Sequence, residues 1–305
     1  MSSAKDIKRR ISSVTDTQKI TNAMYLIATT KLRKARNDLS NTEPYFQALK
    51  GEIERIFNTI DQVDSRYFLP EGMEDTEEDP ELEGKYAYLV ITADKGLAGA
   101  YNQNVIKVAE QLLSRHKDNQ IYVVGEYGRV YFSKHNYEID QSFLYTAQNP
   151  TMNRAREIGA VLIDSFLNGD ISKVYIVYTD FGKGMEPEAV STRLLPVHRS
   201  SFEGAAQKGP DGDDMEYSPS QMEVLDNVLP NSLIGYIYSA LVDSYCSEQN
   251  ARMMAMDRAT QNAQDILDRL NLEYNHVRQS AITQEIIEIS AGAKSQKQHK
   301  SRESI

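Results

Sequence analysis

The two ends of the chain carry a hydrophobic repeat with a period of about 3.5 residues. Alternating steps of four and three residues from Ile7 to Val63 land mostly on apolar side chains, and the same stepping from Val242 to Ala281 does so again. This period is typical of a coiled-coil seam, in which two helices pack along their apolar stripes. The pattern predicts two long helices, at 1–66 and 221–292, that pair with each other in antiparallel orientation.

The predicted seam is unusual in the side chains that fill it. Several of its positions are small or polar, namely Ala28, Ala35, Ala251, Ala255, Ala259 and Ala263, and Gln18, Thr21, Gln249 and Thr260. Pro44 removes an amide donor, so a kink is expected near Thr42. Two interpretations fit this seam: an ordinary scaffold of paired helices, or a slender shaft that fits inside a larger assembly.

The middle of the chain, at 85–200, changes to a different pattern. Continuous apolar and aromatic runs predict buried strands, helical spacing separates them, and a further run ends near a proline and predicts an edge strand. The strands are expected at 86–93, 121–125, 173–181 and 189–197, and the helices at 105–117 and 152–167. Strands alternating with helices predict a Rossmann-like α/β domain with an open parallel sheet, inserted between the terminal helices.

Three segments have the composition of loops or tails. Residues 67–84 form an acidic insert, and residues 201–220 form a linker rich in Gly, Pro and Asp. The basic tail at 293–305 is expected to be disordered. Such segments bury too little apolar surface to fold alone, so we expect them to be solvated.

The charge of the chain is distributed unevenly. The net charge of the whole chain is −10, yet residues 1–36 contain nine Lys or Arg and two Asp, a local charge of +7. This basic segment could dock an acidic protein partner or a nucleic acid, and the acidic remainder argues against the second. A single cysteine excludes an intrachain disulfide, and no run of 18 apolar residues is present.

The stretch DKGLAGAYN, which follows the first strand, is the main candidate for chemistry. Its Gly-x-x-Gly spacing matches no phosphate-binding motif, and Lys95 precedes the glycines instead of following them. We therefore favour a tight turn at Gly96 and Gly99 over a phosphate site. Asp94 and Asp180 follow strands, where catalytic acids or turn residues both occur. The five histidines show no metal-ligand spacing, so we expect no metal, cofactor or catalytic group.

Both ends of the chain resemble the γ subunit of the F-type ATP synthase. The similarity is carried by IKRRISSVTDTQKITNAMYLIATTKLRKA (7–35) and SEQNARMMAMDRATQNAQDILDRLNLEYNHVRQSAITQEIIEISAGA (247–293). The resemblance implies a non-catalytic rotor shaft that couples ion flow through a membrane ring to ATP synthesis or hydrolysis. The implied partners are the α and β subunits, the ε subunit and the membrane c-ring, at the cytoplasmic face of a bacterial cell membrane.

The resemblance also implies which side chains meet those partners. On the N-terminal helix they are Met24, opposite an acidic loop of the β subunit, and the neighbouring Lys19, Lys31, Arg33 and Lys34. On the C-terminal helix they are Arg252, Arg278, Gln279, Thr283 and Glu285, with Arg252 expected to be exposed. Tyr217 matches the foot that touches the ε subunit and the membrane ring, although Met215 and Ser218 depart from the family pattern.

Two other classes of function remain open from the residues alone. One is a nucleotide-binding α/β enzyme with a coiled-coil oligomerisation module. The other is a coiled-coil nucleic-acid binder that uses the basic N-terminal segment.

Overall fold

The computed structural model describes residues 3–59, 65–69, 80–181, 187–202 and 217–302, with side chains at the C-terminal end described up to Gly292. Most of the acidic insert, at 70–79, and most of the linker, at 203–216, lie outside the described residues. The helices are α1 (Ala4–Thr59), α2 (Tyr101–Leu113), α3 (Glu126–Lys134), α4 (Met152–Leu167) and α5 (Gln221–Arg302). The strands are β1 (Tyr86–Ile91), β2 (Asn119–Val124), β3 (Lys173–Asp180) and β4 (Glu188–Leu195), and a short 3-10 helix covers Arg199–Phe202.

The predicted fold class, two long terminal helices with an inserted α/β domain, is confirmed. The helix α1 continues through Pro44. The helix α5 extends to Arg302, beyond the predicted end at 292, so residues 293–302 are helical where the sequence predicted a disordered tail. This tail contains no proline, and its lysines, glutamines and arginine favour a helix once one has begun.

The four strands form one mixed sheet in the order β2-β1-β3-β4. β1 pairs in parallel with β2 and β3, whereas β4 pairs antiparallel with β3 at the edge of the sheet. A parallel connection needs a crossover of a dozen or more residues, and residues 181–187 are too few for one. The sequence correctly predicted that the last strand lies at the edge of the sheet. It predicted a parallel sheet, however, and β4 is antiparallel to β3.

The core of the inserted domain covers both faces of the sheet. Alternate residues of β1 enter different clusters: Ala87, Leu89 and Ile91 join one, and Tyr86, Tyr88 and Val90 join the other. All six residues of β1 are buried, which explains its continuous apolar run. The first cluster includes side chains of α4, α1 and α5, and the second includes side chains of α2 and α3.

The described residues divide into two compact units, one formed by residues up to Ile27 with those from Met254 onward, and the other by Ala28–Met253. In the first unit, the Thr21 and Thr260 hydroxyl oxygens lie 2.7 Å apart, and the Gln18 amide donates to Gln264 at 2.9 Å. Because the residue number rises on one helix as it falls on the other, the pair is antiparallel. The polar seam positions satisfy each other, between buried apolar residues such as Ile7, Met256 and Leu267.

The second unit contains the sheet and the remaining parts of the long helices. Here too the helices are antiparallel, since Phe46 contacts Tyr238 and the Tyr217 hydroxyl donates to Glu52 at 3.3 Å. Gly235 of α5 lets the Phe46 ring of α1 approach the helix backbone closely, because a Cβ at this position would come within 2.2 Å of that ring. Helix α1 is thereby fixed to α5 on the side of the sheet that also carries α4.

Candidate functional site

The loop after β1 is organised by the side chain of Asp94. Its carboxylate accepts hydrogen bonds from the backbone N–H groups of Glu126 at 3.2 Å, Ala147 at 3.1 Å and Gln148 at 3.2 Å. These donors begin α3 and fix the loop before α4. Asp94 therefore has a structural role that occupies both of its oxygens.

The glycine turn itself is built from two residues in the left-handed region. Leu97 has φ of 65° and Gly99 has φ of 55°, and the buried Asn102 side chain accepts from the Ala93 N–H at 2.9 Å. Gly96 does not have a positive φ and contributes its carbonyl oxygen instead. Lys95 is exposed. The turn is thus closed by its own side chains, which disfavours a phosphate site at this position.

Arg252 of α5 is the residue that holds this turn. Its Nη1 donates to the Gly96 carbonyl oxygen at 2.7 Å, and its Nη2 forms an ion pair with Glu248 one helical turn earlier. The Arg252 side chain is 13% exposed and that of Glu248 is 6% exposed. The expectation that Arg252 is exposed was therefore wrong, because the docked loop and Glu248 cover it.

Glu248 was not identified from the sequence, although its spacing to Arg252 carried a signal. Oppositely charged residues four apart on a helix lie on the same face and can pair. The ion pair between Glu248 and Arg252 contributes to stability because the Gly96 loop and Tyr101 cover it and exclude water. Burial and the nearby Glu248 carboxylate raise the pKa of Tyr101, so its hydroxyl stays protonated beside this pair.

The side chains predicted on α1 fall in two different environments. Lys19 is exposed and 3.6 Å from Asp16, and Met24 is half-buried. Lys31 and Lys34 line a small cavity of about 130 Å³ with residues 149–151, ahead of α4. Arg33 is exposed. Of the four basic residues predicted to meet partners, Lys19, Arg33 and Lys34 are therefore accessible and Lys31 is half-buried.

The last part of α5 has no covered face. Every side chain from Arg278 to Gly292 is exposed, including the predicted Gln279, Thr283 and Glu285. Four isoleucines share this exposure, at 44% for Ile282, 58% for Ile286, 56% for Ile287 and 72% for Ile289. An isolated helix of this length is marginal in water, so this apolar surface requires a partner.

The predicted foot residue Tyr217 is half-buried and lies four residues before the start of α5. Its hydroxyl donates to the Glu52 carboxylate of α1, and burial together with that carboxylate raises the pKa of Tyr217. The neighbouring Met215 lies outside the described residues.

A half-buried carboxyl, that of Asp243, lies between α5, α1 and the end of β3. Burial, and next the negative charges of Asp180 and Glu43, raise the pKa of Asp243 to about 7. The side chain lines a cavity of about 390 Å³ with Phe46, Lys50 and Tyr236 among others. Because the folded state holds this proton more tightly than the unfolded state, Asp243 favours folding at acidic pH.

We expect Asp243→Asn to flatten the pH dependence of stability between pH 4 and pH 7. In the wild type the free energy of unfolding should fall across this range, because the unfolded aspartate ionises near pH 4 and the folded one near pH 7. The variant should be more stable at pH 8 by about 1–3 kcal/mol. Urea unfolding at several pH values measures the change, and Asp265→Asn, an exposed position on the same helix, is the control. Identical pH profiles for wild type and Asp243→Asn would exclude this role.

Within the described residues, no cluster of three or more His, Cys, Asp or Glu side chains could hold a metal ion. In the same part of the chain, no helix combines the length and the apolar character that a membrane span needs. Within the second unit, the Arg252 side chain fixes the glycine turn of the sheet domain to α5.

Comparison with known proteins gives matches over nearly the full length. A family model described as ATP synthase matches residues 3–295. The ATP synthase gamma chain of Caldanaerobacter subterraneus subsp. tengcongensis is 42% identical, over 95% of this chain and 98% of that protein. That of Ruminiclostridium cellulolyticum is 41% identical, over 95% and 97%. A sodium-ion-specific ATP synthase gamma chain of Acetobacterium woodii is 37% identical, over 94% and 97%.

Solved structures with the same fold are more distant in sequence. A chain in the rotor of the Euglena gracilis mitochondrial ATP synthase superimposes with a TM-score of 0.59 at 13% identity, over 92% of this chain and 98% of that chain. A chain of the central stalk and c-ring of the Tetrahymena thermophila enzyme gives 0.54 at 20% identity, over 79% and 99%. These likenesses support the fold, the long helices with an inserted sheet.

Proposed function

Because this chain belongs to the family of ATP synthase gamma chains, we propose that it is the central rotor shaft of an F-type ATP synthase. It couples ion flow through a membrane ring to ATP synthesis or hydrolysis on the ring of α and β subunits. The relatives that support this match almost the entire chain at up to 42% identity.

The observation that carries the proposal is the bare end of α5. Its described side chains from 278 to 292 are all exposed, and they include four isoleucines. An apolar helical surface of this kind is unfavourable in water and is typical of a binding surface. Insertion into a ring of α and β subunits would cover it on all sides, as a rotor end requires.

The polar residues of this end are proposed to make the angle-dependent contacts. Arg278, Gln279, Thr283 and Glu285 are exposed and available to loops of the α and β subunits. Each charge-assisted hydrogen bond contributes on the order of 1.5–3 kcal/mol, so a few of them distinguish one rotor angle from another. Arg252 is not proposed to contact the α and β subunits, because its guanidinium already binds Gly96 and Glu248 within this chain.

The basic side chains of α1 are proposed to face acidic loops of the β subunits. Lys19, Arg33 and Lys34 are exposed, and Met24 is half-buried beside them on the helix. Tyr217 is proposed to lie near the foot that meets the ε subunit and the c-ring.

We further propose that the chain has no catalytic activity of its own and works at the cytoplasmic face of the bacterial membrane. The first part is supported by the glycine turn, where the Asp94 carboxylate, the Ala93 N–H and the Gly96 carbonyl oxygen already have hydrogen-bond partners. The second is supported by the bacterial relatives.

Ile286→Asp tests the bare end of α5 directly. Ile286 is 58% exposed in the free chain, so the substitution should change the free energy of unfolding by less than about 0.5 kcal/mol. In the complex a carboxylate would be desolvated against apolar surface, so binding to α and β subunits should weaken at least tenfold. Co-purification and ATP hydrolysis of the reconstituted complex measure the effect.

The matched control is Asn271→Asp, which adds the same charge at an exposed position before the bare end. It should weaken assembly much less than Ile286→Asp does. Normal assembly of the Ile286→Asp chain would show that this end of α5 is not enclosed by the ring.

A further inference from the structure

The cavity of about 390 Å³ that Asp243 lines lies between the two long helices and the edge of the sheet. Its walls come from the middle of α1, the first third of α5, β3, β4 and the segment that follows β4. All of these lining residues belong to the compact unit Ala28–Met253. The volume falls in the range of about 300–1,000 Å³ that is typical of small-molecule sites.

Aromatic and aliphatic side chains form much of the cavity wall. The lining includes Phe46, Tyr178, Leu194, Val197, Leu233 and Tyr236. The rings of Tyr178 and Tyr236 lie at 84° to each other with centroids 6.3 Å apart, and their hydroxyl oxygens are 3.3 Å apart. These contacts fix the rings before a ligand arrives, and pre-formed sites bind without a large ordering cost.

Two carboxyl groups, those of Asp243 and Glu43, line the same cavity. Within the described residues, no side chain donates a hydrogen bond to the half-buried Asp243 carboxylate or forms an ion pair with it. Burial raises the pKa of Asp243 to about 7, and the negative charges of Asp180 and Glu43 act in the same direction. A carboxylate that is partly removed from water without a cationic partner costs free energy, which a bound cation would offset.

The basic side chains of the lining are not among the charged groups that act on Asp243. Lys50 follows Glu43 by seven residues on α1, which is about 10 Å along the helix axis. Because α1 and α5 are antiparallel in this unit, Glu43 lies on the Asp243 side of Phe46 and Lys50 lies on the other side.

Arg193 and His198 complete the basic lining, and both already interact with other groups of the chain. The cavity therefore has one acidic end and an apolar wall beside it.

We propose that this cavity binds a small organic cation that carries an ammonium group on an apolar body. The ammonium group would pair with the carboxylates of Asp243 and Glu43. The rings of Tyr178 and Tyr236 would flank it, since carboxylates and aromatic rings both attract ammonium groups. The apolar body would lie against Phe46 and the aliphatic lining. Such a ligand would contact α1, α5 and the sheet edge at once, and its binding is a property of this chain beyond the rotary role.

Ligand-observed NMR titration of the full-length chain tests the proposal with three probes of matched shape. Phenylbutylamine is cationic, phenylbutanol is neutral and phenylbutyrate is anionic. At pH 8, where Asp243 is mostly ionised, we expect the amine to bind at least tenfold more tightly than the alcohol. The acid should bind more weakly than either. Equal affinity of the amine and the alcohol, tighter binding of phenylbutyrate, or no binding of the amine would overturn the proposal.

Three variants locate the binding. Asp243→Asn keeps the shape of the side chain but removes its charge, so it should weaken phenylbutylamine binding at least tenfold and leave phenylbutanol binding within twofold of wild type. Asp265→Asn makes the same change at an exposed position of α5 that does not line the cavity, and it should alter neither affinity. Ser239→Leu places a larger side chain in the lining and should weaken the binding of both probes. Unchanged amine affinity in Asp243→Asn, or an equal loss in Asp265→Asn, would reject the site.

Discussion

Replacing Arg252 with alanine should lower the free energy of unfolding by about 2–4 kcal/mol and also slow ATP turnover of the assembled complex. The substitution removes the hydrogen bond to the Gly96 carbonyl oxygen and leaves Glu248, with a side chain 6% exposed, without its ion-pair partner. The loss of stability reflects mainly this uncompensated buried carboxylate. Turnover should fall because the sheet domain is no longer fixed to the shaft at this turn.

Denaturant unfolding of the free chain and ATP hydrolysis of the reconstituted complex measure the two effects. Arg258→Ala is the control, because Arg258 is exposed on the same helix. The double variant Arg252→Ala with Glu248→Gln should recover part of the stability, since it removes the stranded charge. If Arg252→Ala folds as stably as wild type, the ion pair does not have the structural role assigned to it.

Gly125→Ala is expected to lower the free energy of unfolding at least as much as Arg252→Ala does. Gly125 has φ of 95°, and a Cβ there would lie 2.3 Å from the Thr92 carbonyl oxygen, which is backbone and cannot move aside. Backbone strain and the clash together should cost about 3–6 kcal/mol. The measurement is the midpoint of urea unfolding, and the lost stability should appear in the sheet domain.

Gly169→Ala separates the two contributions to this cost. Gly169 has φ of 82° but nothing within 4 Å of an added Cβ, so it reports strain without a clash. Gly169→Ala should therefore lower the free energy of unfolding by about 1–3 kcal/mol. Equal effects of the two substitutions would mean that close contact between Gly125 and Thr92 is unimportant.

The repeat pattern was sufficient to predict the two long helices, α2, α4 and the positions of the four strands. A period near 3.5 identified α1 and α5, because a helix that packs against a partner helix buries one stripe of its residues. Runs such as 86–91 identified buried strands, because both faces of β1 are covered. These signals are local in the sequence and arise directly from burial.

Features that depend on distant segments could not be predicted. Arg252 lies off the seam and gives no local sign that the Gly96 loop covers it. Helix α3 was missed because its short sequence includes Gly128, which is kept small by contact with Thr92 and Val123. The buried Lys173 stands at the start of a predicted strand, and only the assembled sheet places Arg193 of β4 beside Tyr175 of β3.

The central claim is that this chain turns inside a ring of α and β subunits, and direct observation of rotation tests it. A probe attached through Lys117→Cys, an exposed position, would be followed on immobilised complexes, since the native Cys246 is buried and unreactive by comparison. On addition of ATP the account predicts stepwise rotation in one direction that stops when ATP is removed. A probe that stays still while the complex hydrolyses ATP at its full rate would contradict the account.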